Sequence, residues 1–371
     1  AEWTEDGRLR HPAFQGIRRD KTPEEVVVER SAEPEAPAAP GRTRRPGDPY
    51  RVAGVRLTNP ERVMYADQGI TKRDLARWYE AAADRILPHV ADRPLTLVRC
   101  PQGQHAHCFF QKHQTDQMPA DVHAIPVVAR EGGDSEPYIT IDSVAGLVSL
   151  VQIGALELHP WGARNDRQDR PDRLVFDLDP APGLPFERLA EGARLVRSLL
   201  DALGLQSFVK STGGKGLHVV VPVARHLGWD ETRAFCRDVA EAMVRAAPDR
   251  YTSKMSKAGR TGKVFVDWLR NGPNATAVAP WSTRARSGAP IAAPLDWDEL
   301  DTLDRPDVCR LDNAAQWLER PDPWPDFFTL RQRITPRALE SMRAAAAVPG
   351  SVTPAAARTG AGGRRTRDRR R

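Results

Sequence analysis

The sequence predicts a mixed α/β or α+β fold, because strand-like segments alternate with amphipathic helices along its central 300 or so residues. Short apolar, β-branched runs indicate the strands, and apolar residues at helical spacing indicate the helices. The predicted strands lie at 94–100, 138–144, 174–180, 207–222 (two strands and a loop) and 263–270. The predicted helices lie at 71–87, 186–203 and 230–246.

The first of these helices carries the clearest start signal. Thr71 is followed three residues later by Asp74, which is the spacing of a capping box. Pro88 predicts the end of the helix, because proline lacks the N–H that an interior helical position needs.

Composition excludes several classes of protein. Of 371 residues, 40% are hydrophobic, yet no stretch approaches eighteen consecutive apolar residues, so no membrane span is expected. The charged start AEWTEDGRLRHP does not resemble a signal peptide. The four cysteines show no pairing pattern, which favours a reducing, cytoplasmic location; they are Cys100, Cys108, Cys236 and Cys309.

The chain divides into four parts by composition. Residues 1–30 form a small piece, 31–48 a Pro/Ala-rich linker, 50–344 the main body, and 345–371 a disordered basic tail. From Ser351 onward there are seven arginines and one aspartate, which accounts for the whole net charge of +6. The remaining 350 residues are formally neutral, so any nucleic acid must be bound by local patches and not by a global field; whether the arginine-rich tail binds DNA stays open.

Three aspartates in two strand-like segments indicate a metal site. Asp177 and Asp179 are two apart, so on a strand both point to one face, and Asp267 lies in the later strand. Mg²⁺ and Mn²⁺ prefer such oxygen ligands, and two ions about 3.5–4 Å apart would activate a 3′-hydroxyl and neutralise pyrophosphate. The alternative is a pair of exposed aspartates at a strand end.

The segment KSTGGKGLH joins two strands through a glycine-rich loop. The hydroxyls of Ser211 and Thr212, the glycines and the ammonium of Lys215 are groups that hold phosphate oxygens. His218 begins the next strand and could reach the same phosphates. The spacing is not that of a Walker A loop, and a plain glycine hairpin with a structural histidine is the alternative.

Further cations and aromatic residues complete the candidate set. Arg270, Arg284 and Arg286 follow the third aspartate and suit bidentate phosphate contacts, although solvated surface arginines are the alternative. Phe109 and Phe110 could divide between the core and base stacking, or both lie in the core.

Two other patterns stay open. Cys100, His105, His107 and Cys108 could form a zinc site, but their spacing matches no common structural-zinc pattern. Arg62 and Lys72, near the start of the first helix, could hold a terminal phosphate or be simple surface charges.

Nine motifs in order resemble the polymerase domain of bacterial ATP-dependent DNA ligase D, a member of the archaeo-eukaryotic primase superfamily. The resemblance covers about residues 50–330 and implies an α+β primase-like core with mixed or antiparallel sheets flanked by helices. The motifs are LTNPERVMY, GITKRDLARWYE, RPLTLVRCPQG, CFFQKH, GALELHPW, PDRLVFDLDP, SFVKSTGGKGLHVVVP, YTSKMSKAGRTGKVFVDWLRNG and TAVAPWSTRARSGAP.

The resemblance implies a role for each matching residue. Metal ligands would be Asp177, Asp179 and Asp267. Nucleotide contacts would come from His159, Ser211, Thr212, Lys215, His218, Arg270, Arg284 and Arg286. A downstream 5′-phosphate would be held by Arg62 and Lys72, and the template base would stack on Phe109 and Phe110.

Some segments of the chain lie outside this resemblance, and some residues depart from the family pattern. EWTEDGRLRHPAFQGIRRDK is similar to the end of a ligase OB-fold, while the chain has no KxDG adenylation motif, so ligation is not expected from it alone. The phosphate loop reads KSTGG where the family usually has KTSGG, which places Thr212 where serine is usual. Arg62 stands where lysine is usual, which keeps the charge and changes the geometry.

The predicted function is template-directed extension of primer 3′ ends at gaps and double-strand breaks in non-homologous end joining. Two Mn²⁺ or Mg²⁺ ions and NTPs or dNTPs are the expected cofactors and substrates. Double-stranded DNA ends, gapped DNA with a 5′-phosphate, Ku and a ligase domain are the expected partners, near the bacterial nucleoid and away from membranes. The alternatives are a de novo primase, a metal phosphodiesterase and a non-catalytic module that binds DNA ends.

Overall fold

A computed structural model describes residues 2–3, 9–10, 50–128 and 134–347 of the chain. The chain forms two compact units, Ala1–Gly47 and Asp48–Arg371. In the first unit, strands β1 (Glu2–Trp3) and β2 (Leu9–Arg10) pair antiparallel. The predicted linker at 31–48, the rest of the N-terminal piece and residues 348–371 of the basic tail lie outside the described residues.

The second unit contains the strands and helices that position the candidate site. Its helices are α1 (Lys72–Ala81), α2 (Ala83–Val90), α3 (Val144–Gln152), α4 (Phe186–Asp201), α5 (Trp229–Ala246), α6 (Ala314–Glu319) and α7 (Pro336–Ala347). Its strands are β3 (Arg51–Val52), β4 (Val55–Arg56), β5 (Val63–Tyr65), β6 (Ile70–Thr71), β7 (Leu95–Arg99), β8 (Phe109–Gln111), β9 (His123–Val128), β10 (Ser135–Thr140), β11 (Ala155–Pro160), β12 (Arg173–Pro180), β13 (Phe208–Ser211), β14 (Leu217–Pro222), β15 (Tyr251–Thr252), β16 (Val264–Asp267) and β17 (Pro294–Leu295).

Two sheets organise this unit. The first has five strands in the order β11-β7-β10-β9, with β8 also paired to β7, and all its pairs are antiparallel. The second has six strands in the order β15-β16-β12-β14-β13-β17, and the pair β15/β16 is parallel. Mixed and antiparallel sheets with flanking helices confirm the predicted α+β fold.

Alternation along β12 explains why this strand carries both core and site residues. Phe176 and Leu178 are fully buried and pack with apolar residues of α4 and α5. Asp177 and Asp179 point to the opposite face, as the period of two requires. One strand therefore joins the hydrophobic core of the second sheet to the candidate site.

The first helix confirms one sequence expectation and corrects another. Thr71 caps α1 through a capping box with Asp74, as its sequence predicts. However, the helix breaks at Ala82, and Pro88 lies inside the next helix, α2, rather than ending it. Pro88 has no N–H to donate, but the helix continues past it, since the N–H of Ala91 donates to the Leu87 carbonyl oxygen.

Two boundaries differ from the sequence expectation. The strand predicted at 138–144 is shifted to Ser135–Thr140, because Ser143 accepts a hydrogen bond from the backbone N–H of Gly146 and so starts α3. Helix α7 continues to Ala347, three residues past the predicted end of the main body. No helix within the described ranges has the length and apolar character needed to cross a lipid bilayer.

Candidate active site

The three aspartates lie together on one face of the six-stranded sheet. In the antiparallel ladder, Asp177 of β12 is directly opposite Asp267 of β16 on one side and His218 of β14 on the other. Directly opposite residues share a face, so the register itself places these side chains in one row. Asp179 extends the row by one step along β12.

Arg270 binds two of the three carboxylates. Its Nε and Nη2 lie 3.1 and 3.0 Å from Oδ2 of Asp177, and its Nε lies 3.3 Å from Oδ2 of Asp267. The other oxygen of Asp177 is 3.4 Å from Nε2 of His218. The guanidinium therefore lies at the position where a cation would bridge the two strands.

The carboxylates respond differently to this environment. His218 and Arg270 hold the pKa of Asp177 well below its usual range despite complete burial. Burial, with the Asp177 charge added, raises the pKa of Asp179, and burial likewise raises that of Asp267. Lys215 is the nearest cation to Asp179, at 4.0 Å. The cations near Asp177 therefore outweigh the effect of its burial, whereas burial outweighs the cations near Asp179 and Asp267.

The donor chemistry of this cluster fits divalent cations. Three hard carboxylate oxygens on one sheet face, two of them with raised pKa values, are the ligands that Mg²⁺ and Mn²⁺ prefer. As the side chains of residues 50–128 and 134–347 stand, no group of three His, Cys, Asp or Glu is arranged to hold a metal. Arg270 pairs with both Asp177 and Asp267 in this arrangement.

The glycine-rich loop between β13 and β14 folds back on itself. The Thr212 hydroxyl donates to the Gly216 carbonyl oxygen (3.1 Å) and accepts from the Gly216 N–H (3.3 Å). A Cβ on Gly216 would lie 2.7 Å from the carbonyl oxygen of Leu178, so glycine is required there. Thr212 thus closes the loop.

The other two polar groups of this loop have different surroundings. Ser211 is buried, and its hydroxyl accepts from the N–H of Ala293 at 3.0 Å, so it anchors the loop to the neighbouring segment. The Lys215 ammonium donates to the Pro180 carbonyl oxygen at 3.0 Å and is largely exposed. Lys215 is therefore the loop cation most accessible to a ligand.

Glu157 connects the two sheets at the site and was not among the residues predicted from the sequence. Its carboxylate lies 2.8 Å from Nε2 of His159 and 2.9 Å from Nε of Arg284, and accepts from the N–H of Ala285. These partners lower its pKa to about 2, against the opposing effect of burial. Arg284 in turn donates to the Thr212 carbonyl oxygen. A buried glutamate in the apolar run GALELHPW was the available signal.

Lys210 is a second site residue that was not predicted from the sequence. It is directly opposite His218 in the ladder, is 1% exposed, and donates to the Ser211 carbonyl oxygen at 3.1 Å. Burial lowers its pKa well below the usual range, and burial with Lys210 nearby lowers that of His218 to about 4. A lysine within the apolar strand SFVKS was the signal.

One cavity brings most of the predicted nucleotide-binding residues together. It has a volume of about 190 Å³ and adjoins the aspartates of β12, while Ser211 and Asp267 lie beside it rather than along its wall. Arg286 is exposed at this cavity. The lining includes His159, Asp177, Asp179, Thr212, Gly214, Lys215, His218, Arg270, Arg284 and Arg286.

The aromatic pair lies away from the core. Phe109 is 37% exposed and Phe110 is 74% exposed, so neither lies in the core. The interpretation that both lie in the core is wrong, and so is the expectation that one of them faces the core. Phe109 stacks on His107 with 6.0 Å between ring centroids, and the Arg99 guanidinium lies 5.4 Å from its ring. Phe110 has no ring or cation contact within the described part of the chain, and most of its side chain is exposed.

A disulfide lies next to this pair and excludes the zinc interpretation. Cys100 and Cys108 are bonded to each other, although the sequence showed no pairing pattern. The two cysteines are eight residues apart, and this single spacing does not identify a disulfide pattern in a sequence with four cysteines. His105, another of the four proposed ligands, lies 3.1 Å from Asp67.

Arg62 and Lys72 lie close together at the start of α1, where the N–H of Lys72 donates to the Arg62 carbonyl oxygen at 2.8 Å. The Lys72 ammonium is buried and donates to the carbonyl oxygens of Thr58 and Gln152, at 3.0 and 3.2 Å. Burial and the Arg62 charge lower its pKa to about 8. Arg62 lines a surface cavity together with Arg73, which is paired with Glu61.

Known proteins resemble this chain in both sequence and fold. The family described as LigD, primase-polymerase domain, matches residues 71–324. The chain is 38% identical over 339 residues to the multifunctional non-homologous end joining protein LigD of Pseudomonas aeruginosa, covering 90% of this chain and 40% of that protein. It is 33% identical over 324 residues to the LigD protein of Mycolicibacterium smegmatis, covering 85% and 42%.

A solved structure gives the same result. The polymerase domain of Mycobacterium tuberculosis ligase D in complex with DNA matches with a TM-score of 0.69 and 35% identity, over 74% of this chain and 98% of that one. Fold and site together define a nucleotidyltransferase of the primase-polymerase class, in which nucleotidyl transfer depends on metal. The chain belongs to the LigD primase-polymerase domain family. It spans about two-fifths of the length of the curated relatives it matches.

Proposed function

We propose that this chain extends primer 3′ ends at short gaps and double-strand breaks during non-homologous end joining, copying a template strand. The observation that carries the proposal is the single cavity at which aspartates, the glycine loop and arginines meet. Carboxylates for cations and cations for a triphosphate, side by side, are what nucleotidyl transfer requires.

Asp177, Asp179 and Asp267 would hold two divalent cations, Mn²⁺ in preference to Mg²⁺. Such cations, when bound, activate the primer 3′-hydroxyl and neutralise charge on the leaving pyrophosphate. Arg270 would release the carboxylates and turn to the triphosphate, because a cation and a guanidinium compete for the same oxygens.

The nucleotide-binding residues separate into those that contact phosphate and those that position the contacts. Lys215 and Arg286 are accessible cations and would bind the triphosphate directly. Arg284 is held by Glu157, and the Thr212 hydroxyl by Gly216, so both would fix the shape of the loop. His159 and His218, whose pKa values are lowered by burial, would contact the nucleotide as neutral rings. Ser211 would anchor the loop rather than touch the ligand.

DNA would contact two other surfaces. Phe110, with Phe109 behind it, offers an exposed ring on which a template base can stack. Arg62 and Lys72 would bind the 5′-phosphate on the far side of a gap. The lowered pKa of Lys72, about 8, makes that affinity fall as the pH rises through 8, because the ammonium loses its charge.

The relatives named as non-homologous end joining proteins support a place in that pathway. The substrates would be double-stranded DNA ends and gapped DNA, with ribonucleotides preferred to deoxyribonucleotides. Ku and a ligase domain would be the protein partners.

A single assay tests the proposal. A primer–template with a recessed 3′ end and a downstream strand bearing a 5′-phosphate is incubated with Mn²⁺ and either rNTPs or dNTPs. We expect extension that fills the gap, faster with rNTPs and faster with the 5′-phosphate than with a 5′-hydroxyl. Dinucleotides made on unprimed template would indicate a de novo primase, shortening a phosphodiesterase, and binding without synthesis an end-binding module.

A further inference from the structure

A second, strongly basic cavity lies at the other end of strand β12. Its volume is about 410 Å³, and it is formed by the start of β12, the segment after β14 and residues 327–331. It shares no lining residue with the nucleotide cavity. Six arginines and one aspartate line it: Arg93, Arg164, Arg167, Arg173, Arg225, Arg331 and Asp172.

The acidic partners do not balance these arginines. Arg93 donates two hydrogen bonds to Asp172, at 2.7 and 2.6 Å, and Nε of Arg164 lies 3.3 Å from the same carboxylate. Arg225 pairs with Asp166 at 2.6 Å, just outside the lining. Six guanidinium groups therefore share two carboxylates, which leaves four positive charges.

Arg173 is a buried cation with two nitrogens that lack a hydrogen-bond partner. It is only 6% exposed, and its Nε and Nη2 make no hydrogen bond with any described residue. The nearest carboxylate oxygen, on Asp172, is 3.8 Å from Nε, too far for a hydrogen bond. Leaving such donors unsatisfied in a buried position is unfavourable, and an anion in the cavity would satisfy them.

The mouth of the cavity provides further donors and an aromatic wall. Arg167 and Arg331 are exposed there, and Arg167 forms no ion pair within the described part of the chain. The Phe327 ring lies 5.8 Å from the Arg173 guanidinium, and Phe328 is 39% exposed beside it. Guanidinium forks with an aromatic face suit a planar or tetrahedral anion attached to an organic group.

We propose that this arginine pocket binds a phosphate group, as a second anion site separate from the polymerase centre. The planar donor forks match phosphate oxygens bidentately, and four unbalanced positive charges suit a multiply charged anion. The phosphate can belong to a free nucleotide or to the backbone of a nucleic acid, which have this chemistry in common.

Calorimetric titration with pyrophosphate, without divalent metal and at low chloride, tests the pocket. The chain carries Lys215→Ala and Arg286→Ala, so that binding at the polymerase centre is weakened. We expect one pyrophosphate to bind and Arg173→Gln to lower the affinity about tenfold, the size of one lost charged hydrogen bond. Because a buried change can disturb folding, the exposed pair Arg167→Gln and Arg331→Gln is a second test, with an expected loss of about threefold to tenfold.

The matched control removes the same charge elsewhere. Arg337→Gln with Arg343→Gln, both exposed on α7 and outside the cavity, should leave pyrophosphate affinity unchanged. Absence of binding, or equal affinity in the two pocket variants and this control, would overturn the proposal. Competition then identifies the source: displacement by a single-stranded DNA with 5′-hydroxyl ends assigns the pocket to backbone phosphate, and displacement by AMP alone assigns it to a free nucleotide.

Discussion

The two ends of strand β12 carry clusters of opposite charge on the same face of one sheet. Four residues of β12 alternate with core residues and therefore all point to this face: Arg173, Val175, Asp177 and Asp179. At one end Arg270 bridges two carboxylates, and at the other Asp172 is shared by Arg93 and Arg164. Between them Val175 packs in an apolar cluster with Trp324 and Phe327.

The difference between the clusters lies in which charge remains unbalanced. At the acidic end two of three carboxyl groups have raised pKa values, whereas at the basic end the partners of Asp172 lower its pKa to about 2. At the acidic end the guanidinium of Arg270 is fully paired, while part of the negative charge of the carboxylates remains for a ligand. At the basic end the carboxylate of Asp172 is fully paired, while part of the positive charge of the arginines remains for a ligand. The comparison therefore predicts a cation at one end and an anion at the other.

The largest expected effect is at the acidic end. Asp177→Ala or Asp267→Ala should lower primer extension by about 10³-fold or more, because the ligands of the cations are lost. A primer-extension assay with Mn²⁺ measures this, and DNA binding measured by anisotropy should survive. The exposed Asp312→Ala is the matched control; full activity in Asp177→Ala would contradict the metal assignment.

A substitution at the basic end should lower the stability of the protein instead of its activity. Asp172→Asn leaves the buried Arg93 without its charged partner and should destabilise the protein by about 3–5 kcal/mol in urea unfolding. Asp169→Asn removes a carboxylate that is 75% exposed and paired with Arg170, and its effect should stay within about 0.5 kcal/mol. Equal effects of the two changes would show that the shared carboxylate is not important for stability.

A smaller effect is expected from the loop beside the acidic end. Gly216→Ala puts a Cβ against the Leu178 carbonyl oxygen, which must shift the loop and should reduce extension by about 10²-fold. The control is Gly259→Ala, where a Cβ meets nothing within 4 Å. If Gly216→Ala kept full activity, the loop would have no precise positioning role.

The smallest expected effect concerns pH. Because the folded-state pKa values of Asp179 and Asp267 are raised, protonation of these groups stabilises the fold at low pH, and that stabilisation is lost as the pH rises through those values. At pH 7 Mn²⁺ should therefore stabilise the protein by about 1–2 kcal/mol at roughly ten to thirty times its dissociation constant.

Thermal unfolding with Mn²⁺ or EDTA measures this shift, which should shrink as the pH falls toward 4, because protons compete with the metal. The pKa of Asp172 is lowered to about 2 in the folded protein. The ionised Asp172 therefore stabilises the fold fully above pH 3.8, and this stabilisation is lost only as the pH falls toward 2. Asp267→Asn should weaken the Mn²⁺ response, and Arg173→Gln should keep it. A response that does not change with pH would contradict protonation of the cluster.

Much of the site could be predicted from local patterns. The spacing of Asp177 and Asp179 fixes a shared face wherever a strand forms, and the Thr71–Asp74 capping box sets the start of α1. The run KSTGGKG predicts a tight loop between strands, since glycine tolerates close backbone approach. These are short-range features, and a few neighbouring residues determine them.

Other parts of the site depend on contacts between distant segments. Glu157 and Arg284 are 127 residues apart, and the local sequence around either residue does not predict their ion pair. The bridge of Arg270 to Asp177 and Asp267 depends on strand register, which is set by packing of the whole sheet.

The sequence by itself therefore determined the elements, the family resemblance and the residue types of a nucleotidyltransferase, because periodicity and turn chemistry act locally. The tertiary structure alone decided which charges are paired and which remain for a ligand. That choice depends on burial and distance, since a charge of given type is stabilised or destabilised by neighbours that lie far away in the chain. The arginine pocket at the start of β12 follows from the same cause: its arginines are dispersed in the sequence and meet only in the fold.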